Sequence, residues 1–120
     1  AFKDFFLSFA QSMPGLTYFE LELNVVGPSL PVLITETGWS TERPEGGPKP
    51  SAQEMADWTV LAWEQVWLTH PNIVGVMPFM LVDAFWGDDQ GFGWVLTDGT
   101  KRPVFNDTRD LRCSLGLGPC

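Results

Sequence analysis

A chain of 120 residues, 44% hydrophobic and 18% charged, is long enough for one small domain with a real core and too apolar for a disordered tail. Its formal net charge of −8 repels phosphate backbones and anionic lipid surfaces, so neither nucleic acid nor membrane is an expected partner. The longest strongly apolar run, Ile73 to Val82, is about half the ~20 residues that a membrane helix needs, and it reads as a buried strand.

In chain order, Phe2, Phe5, Phe6 and Phe9 recur at the spacing of one helix face, and Pro14-Gly15 ends that helix. Next, Phe19, Leu21, Leu23 and Val25 alternate as in a strand. However, Thr17 to Glu20 form a capping box and Gly27-Pro28 a stop, so a helix is predicted. Pro31 to Thr35 is a short apolar, largely β-branched run between turn residues, the pattern of a strand buried on both faces of a parallel sheet. Ser40 to Pro50, with three Pro and two Gly, is a long irregular loop.

Ser51-Ala52-Gln53-Glu54 is a second capping box. It opens a helix whose stripe is Ala52, Met55, Ala56, Thr59, Ala62, Trp63, Val66 and Trp67, stopped by Pro71. Ile73 to Leu81 is a second buried strand, made irregular by Pro78. A loop rich in Gly, Asp and Trp runs from Asp83 to Trp94. Asp98-Gly99 then turns a short hairpin between Val95-Leu96 and Lys101-Arg102. A last helix starts near Pro103, with Val104, Phe105, Thr108 and Leu111 inward and Arg109 and Arg112 toward its C-terminal end. Strands separated by an amphipathic helix make a βαβ unit, an α/β fold and a parallel sheet.

In such folds the reactive groups gather at the C-terminal ends of the strands. Two places qualify. In Ile34-Thr35-Glu36-Thr37-Gly38-Trp39 a carboxylate closes an apolar strand, a glycine lets the chain turn, and an indole follows as a platform. In Asp83-Ala84-Phe85-Trp86, the Trp86 ring suits the C–H face of a pyranose, and Asp83 is placed either to bond a sugar hydroxyl or to hold a neighbouring loop. Six Trp and nine Phe are enough both to fill a core and to line a sugar cleft.

Asp88 and Asp89 read as solvated loop acids, without the spacing of a calcium loop. His70, the one histidine, reads as a capping or surface residue. No Ser-His-Asp set, phosphate loop or zinc spacing is present, and no cofactor or metal is expected. Cys113 and Cys120 either close a small loop in an oxidising compartment or remain free thiols on a tail.

The segment Pro31 to Trp39 resembles the seventh-strand motif of retaining glycosidases in the large (β/α)8 clan that includes cellulases, mannanases and β-galactosidases. The segment Gly75 to Met80 with Asp83, Phe85 and Trp86 is similar to the clan's eighth strand and its loop. Gly91 to Val95, Asp98-Gly99 and Arg102 to Phe105 look like its closing segment. The resemblance covers about Thr17 to Arg112. It implies that residues 1–112 are the C-terminal part of a TIM barrel, about the last two βα units and the helix before them, with 113–120 as a tail. It further implies that Glu36 is the nucleophile and that Trp86 lies under the sugar that is cleaved.

The clan carries its acid/base Glu after the fourth strand, commonly as Asn-Glu, and this sequence has no Asn-Glu pair. A full barrel needs about 250 residues. The front half and its proton donor are therefore expected elsewhere, and the 120 residues alone are expected to be inactive. The implied substrate is an oligo- or polysaccharide, and the implied partner is the missing barrel half or a second copy. The chain begins at Ala1 with no initiator Met, as a mature secreted chain, a processed product or a fragment would. A non-catalytic carbohydrate-binding or assembly module is the alternative reading.

Overall fold

The computed structural model describes residues 31–42, 49–84 and 91–118. The two helices expected between Phe2 and Gly27 lie outside them, as do Trp86, Asp88 and Asp89.

Two strands, β1 (Val32–Thr37) and β2 (Ile73–Pro78), pair in parallel. Between them runs α1 (Ala52–Ala62), which widens into a π-helical turn over Trp63–Trp67. The last element is α2 (Pro103–Ser114). This is the mixed α/β, βαβ order that the apolar runs predict. β1 is longer than Pro31 to Thr35, because pairing continues through Glu36 to a Thr37–Pro78 partnership. β2 is shorter than Ile73 to Leu81: Pro78 has no N–H to donate, and the ladder ends with the Phe79 N–H donating to the Thr37 carbonyl at 2.7 Å. The Phe79–Met80 peptide is cis.

The start of α1 follows directly from its sequence. Ser51 Oγ accepts from the Glu54 N–H at 3.1 Å, and the Glu54 carboxylate accepts from the Ser51 N–H at 2.8 Å, so two orphan donors of the first turn are satisfied. The Ser51 backbone bond, then the Ser51 hydroxyl, hold the Glu54 carboxyl below its ordinary pKa. A carboxyl depressed in the folded state contributes stability above its unfolded pKa and loses it as pH falls through the folded one. Ser51→Ala should cost about 1 kcal/mol in urea unfolding at neutral pH. Glu54→Gln should flatten the loss of stability on acidification, as read from melting temperatures across the carboxylate range.

Met55, Ala56, Thr59, Ala62, Val66 and Trp67 from the predicted stripe are buried, and Ala52 and Trp63 half-buried. Met55, Ala56, Ala62, Val66 and Trp67 join Trp39 and Val104 in one core, against which Trp63 and Ile34, Ile73 and Val76 of the sheet are packed. The helix pair thus covers one face of the sheet. The other face carries exposed Leu33 and Val74, with Met77 at 53% exposure, and exposed Leu81 and Val82 follow β2.

After β2, Trp94 and Val95 lie beside Met80 and Leu81, whose carbonyls accept from the Trp94 and Val95 N–H groups at 3.2 and 2.9 Å. The predicted hairpin is present: Val95 bridges Lys101, and Gly99 turns at φ 88°, a conformation that favours glycine. Asp98 accepts from the Thr100 N–H at 2.8 Å, which holds its carboxyl below the usual range. Arg102 then leads into α2 with Pro103 at its first turn. α2 runs to Ser114, with Arg109 and Arg112 in its C-terminal half as expected. Cys113 is disulfide-bonded; Cys120, the only other cysteine of the sequence, lies outside the described residues. Among the described residues, no helix is long and apolar enough to cross a membrane.

Candidate active site at the strand ends

The register places Glu36. Ile34 pairs with Val76 and Thr37 with Pro78, so Thr35 and Glu36 together stand opposite the single residue Met77. That is a β-bulge, one extra residue on β1, and bulges bend a strand and re-aim a side chain. With strict alternation Glu36 would share the side of Ile34, which packs on the helix layer. With the extra residue, Thr35 and Glu36 are both exposed, as is Met77 opposite them. Among the described residues, no hydrogen bond or ion pair engages the Glu36 carboxylate.

The turn after Glu36 differs from the expected one. Gly38 is not at positive φ. It is glycine because a Cβ there would stand 2.7 Å from the Phe79 carbonyl oxygen, with the Phe92 ring also near. The two strand ends therefore touch through backbone, with Phe79 and Phe92 edge to face at 5.6 Å behind them. Gly38→Ala should cost about 1–3 kcal/mol by overpacking. Guanidinium unfolding at constant m-value measures this, and an unchanged midpoint would mean that the strand ends are not in such contact.

Trp39 is not set out as a platform. Its indole is 8% exposed, edge-on to Trp58 at 6.2 Å, and belongs to the core. It anchors the chain after Glu36 from below.

Of the two placements open to Asp83, the structure shows the loop-holding one. Asp83 Oδ1 accepts from the Gly91 N–H at 2.8 Å and the Gly93 N–H at 3.2 Å, and Oδ2 accepts from Arg102 Nη2 at 2.9 Å. The side chains of Asp83 and Arg102 are only 9% and 11% exposed. Arg102 Nη1 also donates to the Gly93 carbonyl. Gly91 in turn reaches the loop after β1, its carbonyl accepting from the Thr41 N–H at 3.1 Å and from Thr41 Oγ1 at 3.4 Å. Neither glycine tolerates a side chain. Gly91 has φ 84° and closes on Ser40 Oγ and the Glu42 backbone, and a Cβ on Gly93 would meet the Asp83 backbone.

The node was legible in part. An acid, a Gly-Phe-Gly and an arginine within 20 residues signal close backbone approach around a buried charge, although the spacing alone does not say which groups meet. A separate groove between α1 and α2 is lined by Asp57, Glu64, Asp107 and Asp110 over Val60, Leu61 and Leu111, and Glu36 takes no part in it. No cluster of three or more His, Cys, Asp or Glu that could hold a metal occurs among the described residues.

Comparison with known proteins brings no match: no family model, no curated protein and no solved structure is recognisably similar to this chain.

Proposed function

We propose that the chain is the C-terminal part of a (β/α)8-barrel glycosidase acting with retention of configuration on an oligo- or polysaccharide, and that Glu36 is its nucleophile. The observation that carries this reading is a carboxylate with no hydrogen-bond or ion-pair partner among the described residues, turned outward by a bulge near the C-terminal end of a parallel strand. Nucleophiles of α/β enzymes are presented at such strand ends.

In the complete enzyme the Glu36 carboxylate attacks the anomeric carbon, and the bond to the departing oxygen breaks. A second carboxylic acid, about 5–5.5 Å away in retaining enzymes, gives that oxygen its proton. The same group, now a carboxylate, takes a proton from water. The water opens the glycosyl ester and returns Glu36. The sequence has no Asn-Glu pair, the form in which the clan commonly carries its acid/base, so in this reading the proton donor comes from the rest of the barrel. The apolar sheet face at Leu33, Val74 and Met77 supports the same picture, because a barrel interior covers such a face with the remaining strands. The disulfide at Cys113 suits an oxidising, extracytoplasmic setting.

The test is covalent trapping. The whole protein that contains this chain is incubated with activated 2-deoxy-2-fluoro glycosides, which form the glycosyl ester and release it slowly. Peptide mass spectrometry should find the sugar on Glu36. An adduct on another carboxylate, with Glu36 unmodified, would reject the assignment. The exposed apolar face also suits a second reading, a non-catalytic carbohydrate-binding or assembly module. That module would keep its sugar affinity in a Glu36→Ala variant and form no adduct.

A further inference from the structure

The geometry points to the Asp83–Arg102 pair as the positioning device for the Glu36 carboxylate, with Asp83 making no contact to sugar; this rests on the reading of Glu36 as nucleophile. A bulged residue has no ladder partner of its own, so its direction depends on how firmly the chain is held on either side. Upstream, the hold is Ile34 against Val76. Downstream, three holds stand out among the described residues. The Thr37 carbonyl takes the Phe79 N–H, Trp39 is packed in the core, and Thr41 is tied by N–H and hydroxyl to the Gly91 carbonyl.

The last of these ties the loop after β1 to Gly91, and Gly91 is itself fixed by Asp83. Asp83 has no oxygen left idle. Oδ1 takes two glycine N–H groups and Oδ2 takes the guanidinium, which also grips the Gly93 carbonyl. The fork geometry of arginine is what lets one side chain hold both the carboxylate and the loop backbone. Three segments meet at this node: the loop after β1, the loop after β2 and the entry to α2. A carboxylate with both oxygens engaged and so little exposed is poorly placed to receive a substrate hydroxyl. It is well placed to keep the mouth of β1 from drifting, and a nucleophile displaced by about 1 Å loses on the order of 10²-fold in rate.

The experiment compares wild type with Asp83→Asn, Arg102→Ala and Arg102→Lys by amide hydrogen exchange and by kinetics on activated aryl glycosides. Asp83→Asn keeps an oxygen for the glycine N–H groups, and Arg102→Lys keeps the charge, so both should fold where harsher changes fail. In Asp83→Asn and Arg102→Ala, exchange across 36–42 should accelerate at least tenfold more than across α1. Equal acceleration in both regions would mark a merely structural ion pair and overturn the inference.

In the kinetic arm, kcat per folded molecule should fall at least tenfold with KM within threefold. Arg102→Lys should recover at least half of the loss, on a logarithmic scale, seen in Arg102→Ala. A rise in KM at unchanged kcat would identify Asp83 as a sugar contact and also overturn it. If Glu36→Ala leaves turnover intact, the nucleophile reading falls, while the exchange ratio still judges the clamp on its own.

Discussion

Replacing Glu36 by alanine in the whole protein should lower kcat on an activated aryl glycoside by about four to six orders of magnitude, the scale on which enzymes lose their nucleophile. Each decade is 1.36 kcal/mol, so the loss corresponds to about 5–8 kcal/mol of transition-state stabilisation. Sodium azide should restore part of the rate. With the carboxylate gone, the small anion enters the vacated space and attacks the anomeric carbon directly, the aryl oxide leaves, and a glycosyl azide of inverted configuration results. The stereochemistry is the strict part of this expectation, because the intact enzyme displaces twice and returns the original anomer. A Glu36→Ala protein that keeps a tenth of its rate, or an azide product of retained configuration, would remove Glu36 from the mechanism.

The second large effect concerns folding. Asp83→Ala should destabilise the protein by about 3–5 kcal/mol, because it leaves the Arg102 guanidinium buried without its counter-charge. It also strips the acceptor from the Gly91 and Gly93 N–H groups. Losing both partners should cost less than the sum of the two single losses, since neither charge is then stranded. Denaturant unfolding of Asp83→Ala, Arg102→Ala and the double variant measures this cycle. Strict additivity would show that the two side chains do not act as a pair. An exposed pair such as Lys49–Glu42, 3.5 Å apart, should show almost no coupling in the same assay.

How much of this was readable in advance depended on how local the cause was. The capping box at Ser51, the stripe from Met55 to Trp67 and the Asp98-Gly99 turn are set by neighbours within a few residues, and each is found as read. The parallel pairing of Val32–Thr37 with Ile73–Pro78 also follows from the pattern, because two apolar runs around one amphipathic helix have few ways to bury themselves.

Other features came from across the fold. Gly38 suggested a turn, yet its reason is the Phe79 carbonyl, 41 residues away in sequence. Trp39 next to an exposed acid suggested a platform, yet the core claimed its ring. Asp83 was ambiguous because a lone acid in a loop does not announce whether backbone N–H groups will surround it. The bulge at Thr35-Glu36 was invisible, since register is a property of two strands and period-2 reading treats each one alone.

That extra residue has a consequence for how the strand pair tolerates change. Inserting a single residue between Val76 and Pro78 of β2 would match the extra residue of β1, leave β1 itself unaltered, and return the pair to even alternation. The acid would then swing to the side of Ile34 and Val76, where the helix layer lies packed and dry. Substitutions that vary the side chain at Thr35 leave the aim of its neighbour alone, whereas lengthening β2 by one unit inverts it. In this strand pair it is the relative count of residues, more than their identity, that decides which world the carboxylate sees.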